Sequence, residues 1–108
     1  PLPTQRAIKV ALEDEEHVQL QAARYRQRRK VMATALVNAG FKIEYSNAGL
    51  YIWCTRDEED WQTVAWFANR GILVTPGNFY GDAGATYVRI ALTASDEKIS
   101  EAVARINS

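Results

Sequence analysis

The sequence predicts an α+β domain (a two-layer α/β arrangement), a small sheet of about four strands with helices packed on one face, in the order α-β-β-α-β-β-α. Three observations predict it. Apolar residues recur at helical period up to Gly40 and then alternate with charged ones from Phe41. Two further helical stripes follow typical start signals, the acids Asp57 to Asp60 and the cap Ser95. No repeat, low-complexity run or linker divides residues 1–108, so a single domain is expected, with a long helix over roughly 14–39 and sheet and helices over 41–107.

Each element has its own signal. Pro3-Thr4-Gln5 predicts a helix start capped by Thr4 and a short helix through Leu12. Glu13 to Glu16 then place acid at the start of a second, longer helix, where the helix dipole favours it. Its apolar stripe is Val18, Ala22, Tyr25, Met32, Leu36 and Ala39, interrupted by Arg29, and Gly40 is the stop. Phe41, Ile43 and Tyr45 alternate with Lys42 and Glu44, which predicts a half-buried strand. After the turn signal Ser46-Asn47-Ala48-Gly49, the apolar run Leu50 to Cys54 predicts a more central strand, hairpinned to the first.

The helix opened by Asp57 to Asp60 has the predicted core stripe Trp61, Val64, Ala65 and Ala68, and ends at Gly71. Ile72-Leu73-Val74 predicts a short strand, residues 75–85 a loop, and Tyr87 to Leu92 a strand. Ser95 caps the last helix, whose buried stripe is Ile99, Val103 and Ile106.

Composition excludes several functions. Lys+Arg and Asp+Glu are 13 each, so the net charge is zero and a nucleic-acid or membrane-surface binder loses its electrostatic case. No apolar run approaches the ~20 residues of a membrane span. The single cysteine, Cys54, cannot form an internal disulfide, which fits a reducing compartment and leads us to expect a cytoplasmic protein.

Few residues carry chemistry. Arg89 shares its strand face with Tyr87 and Ala91, opposite Val88, Ile90 and Leu92. Pattern alone reads it as an exposed strand arginine. The loop Thr75-Pro76-Gly77-Asn78-Phe79-Tyr80-Gly81 is irregular and glycine-rich, and its two aromatics are costly to leave in water. The basic run Arg24, Arg26, Arg28, Arg29 and Lys30 reads as a solvated helix face. His17 and Cys54 have no partners at metal or triad spacing, so no metal site is expected. Trp66 or Phe67 could mark a surface that packs on a further domain.

Taken together, Gly49-Leu50-Tyr51-Ile52-Trp53, Gly71 to Gly77, then Phe79, Gly81, Gly84 and Tyr87 to Thr93 resemble the end of class I/II (fold type I) pyridoxal-phosphate (PLP) aminotransferases. Within that group the motifs look most like those of bacterial succinyldiaminopimelate aminotransferases of lysine biosynthesis. The resemblance covers nearly the whole chain. It implies the small C-terminal domain of such an enzyme, with Arg89 binding the substrate α-carboxylate. It also implies that Gly77, Asn78 and Phe79 line the site without a chemical role. The parent would be a homodimer moving an amino group between an amino acid, expected to be glutamate, and a keto acid such as N-succinyl-2-amino-6-oxopimelate.

The cofactor's own attachment point is not among these residues. The family places its PLP-bearing lysine in a Ser/Thr-rich stretch before a glycine and a phosphate-binding arginine, and Lys9, Lys30, Lys42 and Lys98 lack that setting. The expectation is therefore a fragment, starting at Pro1 after the lysine region, that lacks the large PLP-binding domain and is inactive alone. No catalytic or cofactor-binding residue is expected in it. Three alternatives compete: a free-standing small-molecule-binding module, a protein-interaction domain using the Trp66 side, and an RNA-binding sheet stacking bases on Tyr51 and Trp53.

Overall fold

The computed structural model describes residues 2–45 and 49–108, with the backbone alone for 2–14 and 45. The elements are α1 (Leu2–Asn38), β1 (Lys42–Tyr45), β2 (Tyr51–Thr55), α2 (Asp60–Ala68), β3 (Thr75–Pro76), β4 (Val88–Ala91) and α3 (Asp96–Asn107). Two 3-10 turns, Gly77–Tyr80 and Asp82–Gly84, fill the stretch between β3 and β4. All strands pair antiparallel in the order β1-β2-β4-β3, which makes β2 and β4 the interior strands.

The first two predicted helices are one. Between Pro3 and Asn38 there is neither proline nor glycine to break the ladder, and glutamate is a good helix former, so the acids 13–16 sit within α1 rather than opening a new helix. The helix also runs through Thr4, so the predicted start at that residue is not where the helix begins. At about 1.5 Å per residue, α1 is about 55 Å long and accounts for the 62 Å long axis of the structure. Where its side chains are first described, over residues 15–24, it lies outside the core: Val18 and Leu20 are 64% and 67% exposed and Ala22 is exposed, against expectation. Burial begins near Tyr25 and becomes complete at Met32, Ala35 and Leu36.

Gly40 ends α1 as predicted. Its φ of 95° lies where an L side chain is strained. The Phe41 N–H then donates to the Leu36 carbonyl and the Gly40 N–H to that of Val37, satisfying groups the helix end leaves open. The predicted turn Ser46-Asn47-Ala48 lies outside the described residues.

One cluster joins all layers. Met32 and Leu36 from α1, Phe67 from α2, and Ile99 and Ile106 from α3 meet Ile52, Cys54, Val88 and Ile90 from one face of the sheet. The α2 stripe is rotated from the predicted one. Asp60, Thr63 and Phe67 are buried, while Trp61 is half exposed and Ala65 and Ala68 are exposed. Apolarity misleads here because two buried positions are polar and paired. The Thr63 hydroxyl donates to Glu58 at 3.0 Å, and Asp60 holds backbone groups described below.

The third strand is displaced from Ile72-Leu73-Val74 to Thr75–Pro76. The Ile72 N–H is taken by the Phe67 carbonyl (3.0 Å) in closing α2, and the chain meets β4 only at Thr75, opposite Arg89. Leu73 is left 94% exposed. Pro76, which cannot donate to a ladder, is tolerated because β3 is an edge strand. In α3, Ser95 Oγ accepts from the Lys98 N–H at 3.2 Å, the cap expected.

The basic run is not wholly a solvated face. Arg28 is buried; its Nε donates to Asp96 Oδ1 at 2.6 Å and its Nη1 to the Leu92 carbonyl at 2.8 Å. Arg29 is half-buried and donates to the Gly49 carbonyl at 3.2 Å. Arg28 thus ties α1 to the end of β4 and the start of α3. The Asp96 carboxylate is largely exposed, so the bond to the buried Leu92 is the stronger tie. Arg28→Met is expected to cost about 1–3 kcal/mol, by stranding that carbonyl, and to lower the urea midpoint accordingly.

Candidate functional site

Strand alternation builds the site. Val88 and Ile90 enter the core, so Arg89 projects from the other face of an interior strand, with Trp53 of β2 and Thr75 of β3 as its cross-strand neighbours. Tyr51 lies two residues before Trp53 and shares that face. The Arg89 guanidinium carbon sits 4.0 Å from the Tyr51 ring centre and 4.9 Å from that of Tyr80. Tyr80 in turn meets Trp53 edge to face at 5.3 Å. Among the described residues Arg89 has no carboxylate partner, and its buried Nε has no hydrogen-bond acceptor. An unsatisfied buried donor is costly. The buried Nε of Arg29 is orphaned too, but its Nη2 is held by the Gly49 carbonyl, so what distinguishes Arg89 is its strand position and its ring contacts.

The loop that delivers Tyr80 is fastened at two places. Gly77 and Gly84 pack backbone to backbone, so closely that a Cβ on Gly77 would run into the Gly84 carbonyl and come within 2.6 Å of the Tyr87 oxygen. Asp60, 1% exposed, is the second fastener. Its Oδ2 accepts from the Asn78 N–H and its Oδ1 from the Trp61 N–H, both at 2.9 Å, while its own N–H donates to the Ala85 carbonyl at 2.9 Å. Asp60 therefore joins α2 to both ends of the loop, through its carboxylate at Asn78 and through its backbone N–H at Ala85.

The sequence-predicted residues are only partly brought together. Gly77 is buried in the fastener, Asn78 contributes its backbone to Asp60, and Phe79 turns to Trp61 with ring centres 6.0 Å apart. Tyr80, rather than Phe79, is the loop aromatic that reaches Arg89. The sequence singles out Tyr51 only as a base-stacking platform beside Trp53, and does not single out Asp60 as a site residue. The period-2 spacing of Tyr51 and Trp53 was the available signal for the first of the ring contacts, and nothing local signals Asp60.

Other candidates resolve to structure. Phe67 is fully buried. Trp66 packs on Phe41 and Phe67 and is covered by the Arg70 guanidinium at 3.6 Å and that of Arg56 at 5.3 Å, so neither is the open surface expected. Burial pushes the Cys54 thiol up to about 12, leaving it protonated and inert at neutral pH. Among the described residues no cluster could hold a metal ion, and no helix is long and apolar enough to cross a membrane.

PLP attachment needs an unprotonated amine facing the cofactor, and the described lysine side chains are Lys30, Lys42 and Lys98. The Lys42 ammonium is paired with Asp57 at 2.7 Å, and that hydrogen bond and charge raise its pKa, disfavouring the amine form. Lys30 and Lys98 are exposed on α1 and α3, helices that pack on the sheet face opposite Arg89.

Comparison with known proteins gives the wider setting. Residues 1–106 match the family model for aminotransferase class I and II. The chain is 54% identical over 106 residues to a 4-dedimethylamino-4-oxo-anhydrotetracycline transaminase of Streptomyces rimosus, spanning 98% of this chain and 30% of that protein. It is 52% identical over 106 residues to a probable aminotransferase of Mycobacterium tuberculosis, spanning 98% of this chain and 25% of that one. Among solved structures, a probable N-succinyldiaminopimelate aminotransferase from Thermus thermophilus superposes with a TM-score of 0.71 at 32% identity, over 85% of this chain and 25% of that one. The chain therefore spans under a third of the length of these relatives. With a family model covering nearly all of it and the same small antiparallel sheet and helices, this chain belongs to the class I and II aminotransferases.

Proposed function

We propose that the chain is the C-terminal small domain of a PLP-dependent aminotransferase, and that Arg89 binds the substrate α-carboxylate. The observation that carries this reading is a guanidinium on a rigid interior strand, ringed by aromatics and unpaired by any described carboxylate. A guanidinium offers parallel donors that match both oxygens of a carboxylate and so fix its orientation as well as its place. With Nε sealed, the terminal Nη groups are the donors left for a ligand. Held by a strand, Arg89 orients the substrate. The loop carrying Gly77, Asn78 and Phe79 borders the same space and brings Tyr80 to the guanidinium.

PLP, held by the rest of such an enzyme, supplies the electron sink that lets an amino group move between carbon skeletons. The proposed partners are the large PLP-binding domain, a second copy of the whole enzyme as a homodimer, and amino-acid and keto-acid substrates. Glutamate is the proposed donor. N-succinyl-2-amino-6-oxopimelate is the first acceptor to assay, because one structural relative is named for the corresponding amine, N-succinyldiaminopimelate, and the tetracycline ketone of the Streptomyces relative is the second.

These residues alone are proposed to be inactive. Mixed with PLP, the isolated chain is expected to show no imine absorbance band that disappears when one of Lys9, Lys30, Lys42 or Lys98 is changed. Such a band would contradict the division of labour. The carboxylate role itself is tested by Arg89→Lys in the full-length enzyme.

A further inference from the structure

We propose that Tyr80 and Tyr51 are positioning residues that hold the Arg89 guanidinium by ring contact and keep its charge available to a carboxylate ligand. The proposal rests on the reading of Arg89 as that ligand's site and adds the device that sets it up.

Arg28 and Arg89 are held in two different ways. Arg28 is fixed by the Asp96 carboxylate at 2.6 Å, so its charge is matched within the protein. Arg89 is fixed without any described counter-charge, by rings at 4.0 and 4.9 Å. A carboxylate clamp would hold a guanidinium firmly but compete with an incoming acid for the same donors. A ring face attracts the cation through its quadrupole and leaves the N–H edge open. Rings also displace water around the guanidinium, which strengthens its pull on a ligand.

Tyr51 and Tyr80 reach Arg89 from different parts of the fold. Tyr51 comes from the interior strand β2, whereas Tyr80 comes from the loop fastened by Gly77, Gly84 and Asp60 and is braced by Trp53. The effect of the Tyr80 clamp therefore depends on its ring and not on its hydroxyl.

The test uses the full-length enzyme and glutarate, a dicarboxylate that cannot be transaminated, with binding read by calorimetry. Tyr80→Leu is expected to weaken glutarate about tenfold and to raise KM for glutamate by a similar factor. Tyr80→Phe is expected to stay within about twofold of the parent. PLP absorbance and thermal midpoint should be unchanged in both, which a merely structural role would not give. Tyr80 is 54% exposed, so leucine there leaves the core intact, and Tyr51→Leu gives a second measure from the strand side. If both leucine variants bind glutarate as the parent does while Arg89→Lys weakens it, the clamp is wrong and the carboxylate site stands. If Arg89→Lys also leaves glutarate binding unchanged, the carboxylate reading itself falls.

Discussion

Arg89→Lys in the full-length enzyme should lower kcat/KM for the amino donor by about 10- to 150-fold, the factor matching a charge-assisted contact of about 1.5–3 kcal/mol. PLP retention, read from its absorbance, should be unchanged. Lysine keeps the positive charge but loses the planar fork, so it cannot meet both carboxylate oxygens in one fixed orientation. It also loses the flat guanidinium that Tyr51 and Tyr80 contact at 4.0 and 4.9 Å. Both losses act on how the substrate is held, and neither touches a residue that fits cofactor attachment. Unchanged steady-state kinetics would remove the carboxylate role.

How far the sequence could be read depended on whether the deciding contact was local. Gly40 as a helix stop, Ser95 as a cap and the placement of Arg89 opposite Val88 and Ile90 all follow from neighbours within a few residues, and all were legible. The burial of Asp60 was not, because its partners Asn78 and Ala85 lie 18 and 25 residues away. That distant pairing goes with a rotation of α2 by about a third of a turn, which puts Trp61 outside. The burial of Arg28 was hidden in the same way, its acceptors being Asp96 and the Leu92 carbonyl. Val18 and Ala22 continue an apolar stripe that this chain does not bury. The stripe describes a surface suited to contact, whereas the chain spans under a third of its relatives. In the site, the arginine and the Tyr51 face were legible by strand alternation and the Tyr80 contact was not, because Tyr80 arrives through an irregular loop.

That loop carries the largest expected effect on stability. Gly77→Ala should cost about 3 kcal/mol, because the new methyl would meet the backbone of Gly84 and Tyr87 and not a side chain that could swing away. The clash is reciprocal, since a Cβ on Gly84 would meet the Gly77 carbonyl group. Relief therefore requires the two loop ends to part, which strains the Asn78 N–H bond to Asp60 and draws Tyr80 from Arg89. Gly40→Ala provides the contrast. A Cβ there meets nothing within 4 Å, so only its φ of 95° opposes the change, at about 1–2 kcal/mol. Urea unfolding of the two variants measures the difference in stability. Glutarate binding separates their causes: Gly77→Ala should weaken it through the displaced Tyr80, whereas Gly40→Ala, at the end of α1, should leave it unchanged. Equal effects on binding would mean that the loop does not set the position of the arginine, and that its glycines serve the backbone alone.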